Sequence, residues 1–485
     1  MKRTLLLPLA ALALAACNDA QPVAPTAPVA GRLESVAGGP TIDPQLSAAL
    51  ATAAPTAKLV TIVNYDPAQT SKLAIVNRVL RLGAGVMTFR NLSMLVTLGT
   101  PAQIQAMALL PGVQSVYANR AVPLLLRESN QSIRSDQVWA DGYTGKGVGV
   151  AILDSGINGL NADVAYPTKT VANVKFTLNF AYLTEDTTTL PRPGGELSIA
   201  NLPNTDLTGG HGTHVAGIAA GNGGTSFGAY RGVAPGANLI GLSAGETLVV
   251  VYASALQAVD WMLDNRVKYN IKVVNNSWGG AGEFDPTDPV TEAMKTVHDA
   301  GITVVFAAGN DGPAENTLSS QSVSPWVIGV AAGCKLYVSD PTNSASQCVD
   351  ANGRAPVLAG FSSRGIAGDP LYHPDITAPG VRIVSARSLT GVVAPLGITS
   401  DLNGCNIGVQ NLDDFTCMSG TSMAAPHVAG IVALMQEAAN GKLTPDQVLS
   451  ILTSTARPLS GYALWEQGAG YADAYAAVQA AKAYR

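Results

Sequence analysis

Three glycine-rich stretches each carry one side chain that could take part in nucleophilic catalysis. In one of them, Ser422 stands among small residues just ahead of an apolar helical run over 431–438, with Pro426 expected in the first helical turn. A helix start has unpaired backbone N–H groups and about half a positive charge, which could hold an oxyanion beside the serine. For a single serine, a helix cap is the simpler explanation. A role as nucleophile requires a base, an orienting acid and an oxyanion donor elsewhere in the chain.

The candidate base lies in the stretch Gly209–Gly217, where His211 begins another helix of small residues. His211 and His214 are three residues apart, so a shared metal ion has to be considered. A zinc protease helix needs a glutamate between its two histidines, and none lies between these two. We therefore predict His211 as a general base, His214 as a packing or hydrogen-bonding residue, and no metal ligands.

The candidate acid and amide each follow an apolar strand. Asp154 comes directly after 148–153, and Asn310 lies just beyond 303–307. Asp and Asn are common turn residues, so either one alone is weak support for a site. Asn310 could nevertheless donate its amide to an oxyanion, and the glycine-rich stretch Asn275–Gly280 could pair with an extended peptide.

A parallel sheet would bring these strand ends together. Beyond Trp139, apolar strands alternate with helical patterns, which predicts a doubly wound, mostly parallel α/β domain. The predicted strands are 148–153, 272–274, 303–307 and 326–331, and the predicted helices are 253–269 and 290–300. Ligands of such sheets bind at the carboxyl ends of the strands, which is where the candidate residues lie.

A smaller α+β unit is predicted over residues 58–120. Its pattern is β-α-β-β-α-β, the order of a ferredoxin-like fold. Thr100 and Pro101 have the residue types of an N-cap and first helical position. The predicted strands are 59–63, 86–89, 94–98 and 113–117, and the predicted helices are 72–82 and 101–110.

The chain begins with an export signal. Lys2 and Arg3 precede an apolar run over 5–16 that is too short to span a bilayer. The small residues before Cys17 resemble a bacterial lipobox, which predicts lipidation of that cysteine; an ordinary signal peptide is the alternative. Residues 18–56, rich in Ala, Pro and Thr, are predicted to be a flexible linker. Either signal places the protein outside the cytoplasm.

The cysteine content and the charge limit which disulfides and which partners are possible. The other four cysteines suggest two disulfides in an exported chain. Of three possible pairings, we favour the local one, which closes two short loops, Cys334–Cys348 and Cys405–Cys417. Hydrophobic residues make up 47% of the chain and charged ones 13%, with a net charge of −5, so a nucleic-acid partner is not expected.

Together the motifs resemble those of the subtilase (subtilisin-like) serine protease family. The stretch Ala151–Gly156 resembles the family's aspartate motif, His211–Gly217 its histidine motif, and Gly420–His427 its serine motif. The resemblance covers residues 133 to about 480. It implies a catalytic triad of Asp154, His211 and Ser422, in an order that the family shares.

The resemblance also implies the accessory residues and the domain order. Asn310 matches the oxyanion asparagine, while Ser277, Trp278, Gly279 and Gly309 fall where the family binds substrate. Residues 58–120 more weakly resemble a propeptide that acts as chaperone and inhibitor. The implied segments are a signal (1–17), a linker (18–56), a propeptide domain (57–122) and a peptidase domain (123–485).

The expected function is that of a secreted, monomeric serine endopeptidase. It should need no cofactor for its chemistry, and it should cut its own chain between about Ala121 and Gln131. Calcium stays open as a structural ion with unassigned ligands, because the loop 222–230 lacks a clear carboxylate set. The stretch 169–204 is interpreted as an insertion, either surface decoration or a rim of the cleft. A lipid on Cys17 would tether the precursor and leave the cut enzyme free. The alternatives are a narrow processing protease, a peptide-binding pseudoprotease and a structural lipoprotein.

Overall fold

The computed structural model describes residues 41–119, 121–123, 130–177, 197–246, 249–335, 357–388, 390, 405, 407 and 411–485. The signal, Cys17, residues 18–40 of the predicted linker, and Cys348 all lie outside these residues. Their predictions therefore remain predictions.

The N-terminal part of the described chain is a five-stranded sheet with helices against it. Its strands are β1 (Thr41–Ile42), β2 (Leu59–Tyr65), β3 (Gly85–Thr88), β4 (Met94–Gly99) and β5 (Val113–Ala118). Its helices are α1 (Pro44–Thr52), α2 (Lys72–Arg81) and α3 (Pro101–Ala108). The strand order β1-β5-β2-β4-β3, antiparallel from β5 to β3, confirms the ferredoxin-like prediction. Thr100 caps α3 in a capping box with Gln103, as its residue type indicated.

The linker predicted over 18–56 extends too far, because residues 41–52 are ordered. Strand β1 adds to the sheet in parallel with β5, and helix α1 buries Leu46 and Leu50 in the core of this unit. The Asp43 carboxylate accepts a hydrogen bond from the Ala118 backbone at 3.3 Å. Leu46 and Leu50 are one helical turn apart, and two leucines within an Ala- and Thr-rich stretch were too weak a pattern to indicate a helix.

The larger part of the chain is built on an eight-stranded sheet. The order is β16-β15-β14-β13-β7-β10-β8-β9, and every pairing is parallel except β8 with β9. Its strands are β7 (Gly149–Asp154), β8 (Thr170–Thr177), β9 (Leu197–Ile199), β10 (Asn238–Ser243), β13 (Ile271–Asn276), β14 (Thr303–Ala307), β15 (Ile328–Gly333) and β16 (Ile376–Pro379). Two short ribbons consist of β6 (Ala121–Pro123), β11 (Gly245–Glu246) and β12 (Val249–Val251), and of β17 (Ile383–Ala386) and β18 (Phe415–Met418).

Helices cover both faces of this sheet, as the doubly wound prediction requires. They are α4 (Ser135–Ala140), α5 (His211–Ala220), α6 (Tyr252–Asn265), α7 (Pro289–Asp299), α8 (Thr421–Ala438), α9 (Pro445–Thr455), α10 (Leu464–Gln467) and α11 (Ala474–Ala481). Along β7, Val150 and Ile152 join the apolar core under α5 and α8, while Ala151 and Leu153 join the core under α6 and α7. The strand is thus buried on both sides, which explains its continuous apolar sequence.

The ferredoxin-like sheet lies against α6 and α7 and shares their core. Ile62, Met87, Phe89 and Val96 belong to the same apolar cluster as Leu153 of β7. Polar contacts border this surface: the Asp260 carboxylate accepts the Arg90 backbone N–H at 2.5 Å, and Asn64 donates to Glu292. The N-terminal unit therefore forms a second apolar layer over one face of the larger sheet.

The stretch 169–204 is not simply a surface insertion. Residues Thr170–Thr177 form β8, which pairs in parallel with β10 inside the main sheet, and Asn173 is fully buried there. Residues 178–196 lie outside the described part of the chain. Polar residues such as Asn173 and Lys175 interrupt the apolar pattern of β8, which made the strand hard to recognise.

One of the two predicted disulfides is present in the described residues. Cys405 is bonded to Cys417, with their Cα atoms 6.3 Å apart. Cys334 is also disulfide-bonded, and its predicted partner Cys348 lies outside the described residues. No helix in the described ranges is both long enough and apolar enough to cross a membrane.

Candidate active site

Asp154 and His211 form a buried hydrogen-bonded pair. Asp154 is the last residue of β7, and His211 begins α5 directly after Gly210, whose φ of 81° favours glycine. The Asp154 Oδ1 and His211 Nδ1 atoms are 2.6 Å apart, and both side chains are buried. A β-carbon on Gly212 would overlap the Gly156 carbonyl, so glycine at 212 lets the helix start approach the end of β7.

This geometry sets the tautomer of the histidine. A carboxylate facing Nδ1 keeps the proton of the neutral ring on that nitrogen, which leaves Nε2 as the atom that exchanges protons. The Ser155 backbone N–H also donates to Asp154 Oδ1, at 2.7 Å. Asp154 Oδ2 is buried and has no hydrogen-bond partner among the described residues. The carboxylate can therefore stabilise a positive charge on the imidazole.

Ser422 is the second residue of α8 and is fully buried. Its hydroxyl donates to the Ser277 carbonyl at 2.7 Å, and the Ser277 hydroxyl donates to the Ser422 carbonyl at 2.7 Å. The Ser422 carbonyl is available because Pro426, four residues later, has no N–H to donate to it. Pro426 thus lies inside the helix, in its second turn, and the expectation of a first-turn position is wrong because the helix begins as early as Thr421.

Asn310 follows β14 and is oriented by the start of α8. Its Oδ1 accepts hydrogen bonds from the Thr421 backbone N–H and hydroxyl, each at 3.0 Å. The Thr421 hydroxyl in turn accepts the Gly309 N–H at 3.1 Å. With the oxygen of the amide held in this way, the NH₂ group of Asn310 is left to face a ligand.

A cavity of about 170 Å³ opens beside Asn310. Its lining consists of small residues with one aromatic: Trp278, Gly279, Gly280, Ala281, Ala307, Gly309, Asn310, Asp311 and Ser319. A β-carbon on Gly279 would collide with Ser319, and one on Gly309 with Ser363. The Trp278 indole is fully buried and donates to the Leu153 carbonyl at 2.8 Å, so it supports the cavity from behind.

Three of the four residues predicted to bind substrate therefore line one cavity. These are Trp278, Gly279 and Gly309. Ser277 does not line it, and instead exchanges hydrogen bonds with Ser422.

Strand β12 pairs with β11 on one side and, on the other, with a segment from much earlier in the chain. Strand β6 runs antiparallel to β12, with Val249 opposite Pro123 and Val251 opposite Ala121. Backbone pairing of this kind recognises any extended peptide, whatever its side chains. The edge at β12 is therefore able to hold an extended polypeptide.

His214 has the structural role predicted for it. Its Nε2 lies 3.2 Å from the Ile383 carbonyl and 3.1 Å from the Thr416 carbonyl. In the described part of the chain, no group of three or more His, Cys, Asp or Glu side chains is placed to hold a metal ion.

The loop 222–230, considered for calcium, has one buried carboxylate beside it. Asp163 accepts the Gly223 N–H, and its Oδ2 has no partner among the described residues. Burial raises the pKa of Asp163 to about 7, and burial lowers the pKa of nearby Lys169 to about 7. Calcium takes six to eight oxygen ligands, and one carboxylate beside a lysine does not make such a set, so the residues present do not fit a calcium site here.

Sequence reasoning missed three polar residues that hold the site together. Thr421 orients Asn310; Ser155 donates its N–H to Asp154; and Asp206, five residues before His211, is fully buried beside them. Asp206 was overlooked because an aspartate in a Gly- and Thr-rich loop is usually a turn residue. The nearest signal in the sequence was its closeness to the histidine motif.

The comparisons with known proteins agree on one family. The family described as "Subtilase family" matches residues 145–472. The "Serine protease AprX" of Bacillus subtilis (strain 168) is 35% identical over 353 residues, which is 70% of this chain and 68% of that protein. The "Extracellular protease" of Xanthomonas campestris pv. campestris is 29% identical over 465 residues, 88% of this chain and 69% of that protein.

A solved structure supports the fold. Fervidolysin from Fervidobacterium pennivorans, described as a keratinolytic enzyme related to subtilisin, superposes with a TM-score of 0.59 at 21% identity. The match covers 87% of this chain and 61% of that one.

Proposed function

Because the chain belongs to the subtilase family of serine peptidases, we propose that it is a secreted endopeptidase that hydrolyses peptide bonds through Ser422, His211 and Asp154. The observation that carries this proposal is the buried 2.6 Å contact between Asp154 and His211 at the carboxyl edge of the sheet. Helix α8, which begins at Thr421 and carries Ser422, packs against α5, which begins at His211.

The proposed reaction starts at Ser422. A rotation of its side chain takes the hydroxyl from the Ser277 carbonyl to His211 Nε2, which removes the proton as the oxygen attacks the peptide carbonyl. Asp154 stabilises the imidazolium, which then gives the proton to the leaving amine. Water, deprotonated by His211, then attacks the acyl-enzyme ester, which releases the carboxylic acid product and returns the proton to Ser422. The Asn310 amide and the Ser422 N–H hold the oxyanion. The loss measured for subtilisin's own oxyanion asparagine is about 10²–10³ in turnover.

The contacts of the N-terminal unit support a self-processing precursor. Strand β6 lies on β12 as an extended substrate would, whereas Ile133 is already part of the peptidase core. A cut that frees the propeptide therefore falls between Pro123 and Asn130, inside the wider range expected from sequence. We assign residues 41–123, up to the end of β6, to the propeptide and the chain beyond the cut to the peptidase.

Polypeptides are the proposed substrates. The cavity of about 170 Å³, lined mostly by small residues, takes one side chain of moderate size, which favours broad rather than narrow specificity. A lipid on Cys17 would tether only the precursor, because the proposed cut separates Cys17 from the peptidase. Mature enzyme that still carries the lipid would refute this part of the proposal.

Labelling of the purified protein with a serine-directed phosphonate tests the proposal. We expect one label, on Ser422, and a new N-terminus within residues 124–130. The Ser422→Ala variant should remain uncut and inactive, with an unchanged fold as its circular dichroism reports. Hydrolysis by that variant would refute the mechanism, and an unlabelled but folded wild type would indicate a peptide-binding pseudoprotease.

A further inference from the structure

Asp206 is a second buried carboxylate beside the Asp154–His211 pair, and the mechanism above gives it no part. It is fully shielded from solvent and accepts four hydrogen bonds. The donors are the Ser155 hydroxyl at 3.0 Å, the Gly210 N–H at 2.8 Å, the Thr213 N–H at 3.1 Å and the Thr213 hydroxyl at 2.5 Å. A buried carboxylate is costly unless it is satisfied in this way.

These donors come from both elements that carry the pair. Gly210 is the N-cap residue of α5 and Thr213 lies in its first turn; since glycine has no side chain to cap the helix, Asp206 takes over that role. Ser155 belongs to the end of β7 and gives its own N–H to Asp154. The Ser155 hydroxyl also accepts the Gly212 N–H at 2.9 Å, which closes a ring of hydrogen bonds around the contact.

We propose that Asp206 is a positioning residue for the reaction: through Ser155 and the first turn of α5 it fixes the distance between Asp154 and His211, and its negative charge favours the imidazolium. This inference rests on the proposed catalytic roles of those two residues.

The charge of Asp206 adds to the effect of its geometry. Burial raises the pKa of Asp206, and the hydrogen bonds from Thr213 and Gly210 oppose that rise. Asp154 lies close enough for the two carboxylates to repel each other. A positive charge on His211 offsets this repulsion, so the carboxylate of Asp206 favours the imidazolium that forms during the reaction.

The test replaces Asp206 with asparagine, which keeps the shape and removes the charge. The new side-chain amide would also point an NH₂ group either at the Gly210 N–H and Ser155 or at the donors of Thr213, so the ring of hydrogen bonds cannot close. For Asp206→Asn we expect kcat per titrated active site to fall about 10- to 100-fold, as for other residues that orient a catalytic group. KM should stay within about threefold, and the acidic limb of the kcat/KM profile should move to lower pH by about half a unit.

Asp375→Asn is the matched control. Asp375 is a partly buried carboxylate that also accepts a backbone N–H, from Gly329 at 2.7 Å, but it precedes β16 at the opposite edge of the sheet. We expect that control to keep the wild-type kcat and pH profile per active site, even where its stability falls. An Asp206→Asn enzyme with wild-type kcat and acidic limb would overturn the proposal.

Ser155→Ala covers the case in which Asp206→Asn does not fold. It removes the link from Asp206 to the residue after β7, together with the acceptor for the Gly212 N–H, and leaves the hydrogen bonds that Asp206 itself accepts from Gly210 and Thr213. We expect a lower kcat, as for Asp206→Asn, and an acidic limb close to that of the wild type, because the charge of Asp206 remains. A double variant should be little slower than Asp206→Asn alone; fully additive losses would refute a shared path. If the wild type itself is not labelled at Ser422, the proposed function fails; if it is labelled and these variants behave as wild type, only the role of Asp206 fails.

Discussion

Replacing Thr421 with valine should lower kcat, although Thr421 acts on the substrate only through Asn310. The Thr421 hydroxyl donates to Asn310 Oδ1 at 3.0 Å and accepts the buried Gly309 N–H at 3.1 Å. Valine has nearly the same shape and makes neither bond. The Thr421 backbone N–H, also 3.0 Å from Asn310 Oδ1, remains as the last bond that orients the amide.

The expected magnitude follows from these bonds. The Gly309 N–H is left unpaired in the interior, which costs about 1–3 kcal/mol of unfolding free energy. Removal of a whole oxyanion asparagine costs about 10²–10³ in turnover. Thr421→Val leaves Asn310 present but held by one bond of two, so we expect kcat about tenfold lower, or about 1.4 kcal/mol.

The assay is kcat on a chromogenic peptide, normalised to active sites titrated with the phosphonate. Thr421→Ser keeps the hydroxyl and should retain wild-type kcat. In an Asn310→Ala background, Thr421→Val should cost little more, because the group that it orients is already absent. Wild-type turnover in Thr421→Val, or an undiminished tenfold loss in that background, would contradict this reasoning.

Three further outcomes are expected. Glu292 contacts Asn64 of the proposed propeptide, and burial raises the pKa of Glu292 to about 7. Propeptide binding should therefore be strongest at a pH below the ordinary pKa of glutamate, and it should weaken at least tenfold as the pH rises to about 7. Co-elution of cut propeptide with the peptidase at about pH 5 and about pH 8 measures this, and Glu292→Gln should remove the difference. Deleting residues 41–52 should reduce the yield of processed enzyme, because the burial of Leu46 and Leu50 stabilises the fold by about 1.5–3 kcal/mol each. Deleting residues 18–39 should leave the yield unchanged. The double variant Cys405→Ser/Cys417→Ser should have a lower Tm in non-reducing buffer, because a disulfide that closes a loop of 12 residues contributes up to about 3 kcal/mol of unfolding free energy. Equal Tm values for the two proteins would show that the bond adds no stability.

Elements of the fold could be predicted from the sequence where the local sequence patterns were strong. The strand predicted at 303–307 is β14 to the residue, and the Thr100 cap fixed the start of α3 correctly. Strand β8 was missed because buried Asn173 and Lys175 gain their partners only in the folded chain, from carbonyls and hydroxyls that sequence spacing does not reveal.

Some residues of the candidate site could likewise be predicted from sequence patterns, and others could not. Residues at strand ends and helix starts, such as Asp154 and His211, stood out because the topology of the sheet brings such positions to one edge. Asp206 and Thr421 did not, since their importance comes from hydrogen bonds to residues far along the chain or to backbone N–H groups. A single Asp or Thr in a glycine-rich loop has no pattern that distinguishes such a role from an ordinary turn.

The apolar layer shared by the N-terminal sheet and helices α6 and α7 also bears on how the precursor unfolds. Ile62 and Phe89 lie in one continuous cluster with Leu153 of the central strand, so neither part can lose its packing without exposing the other. Separation of the two parts would expose this shared apolar surface to water, which couples their unfolding. The uncut chain should therefore give a single calorimetric transition, and after the proposed cut the two pieces would be held by that common interior and the polar contacts that border it.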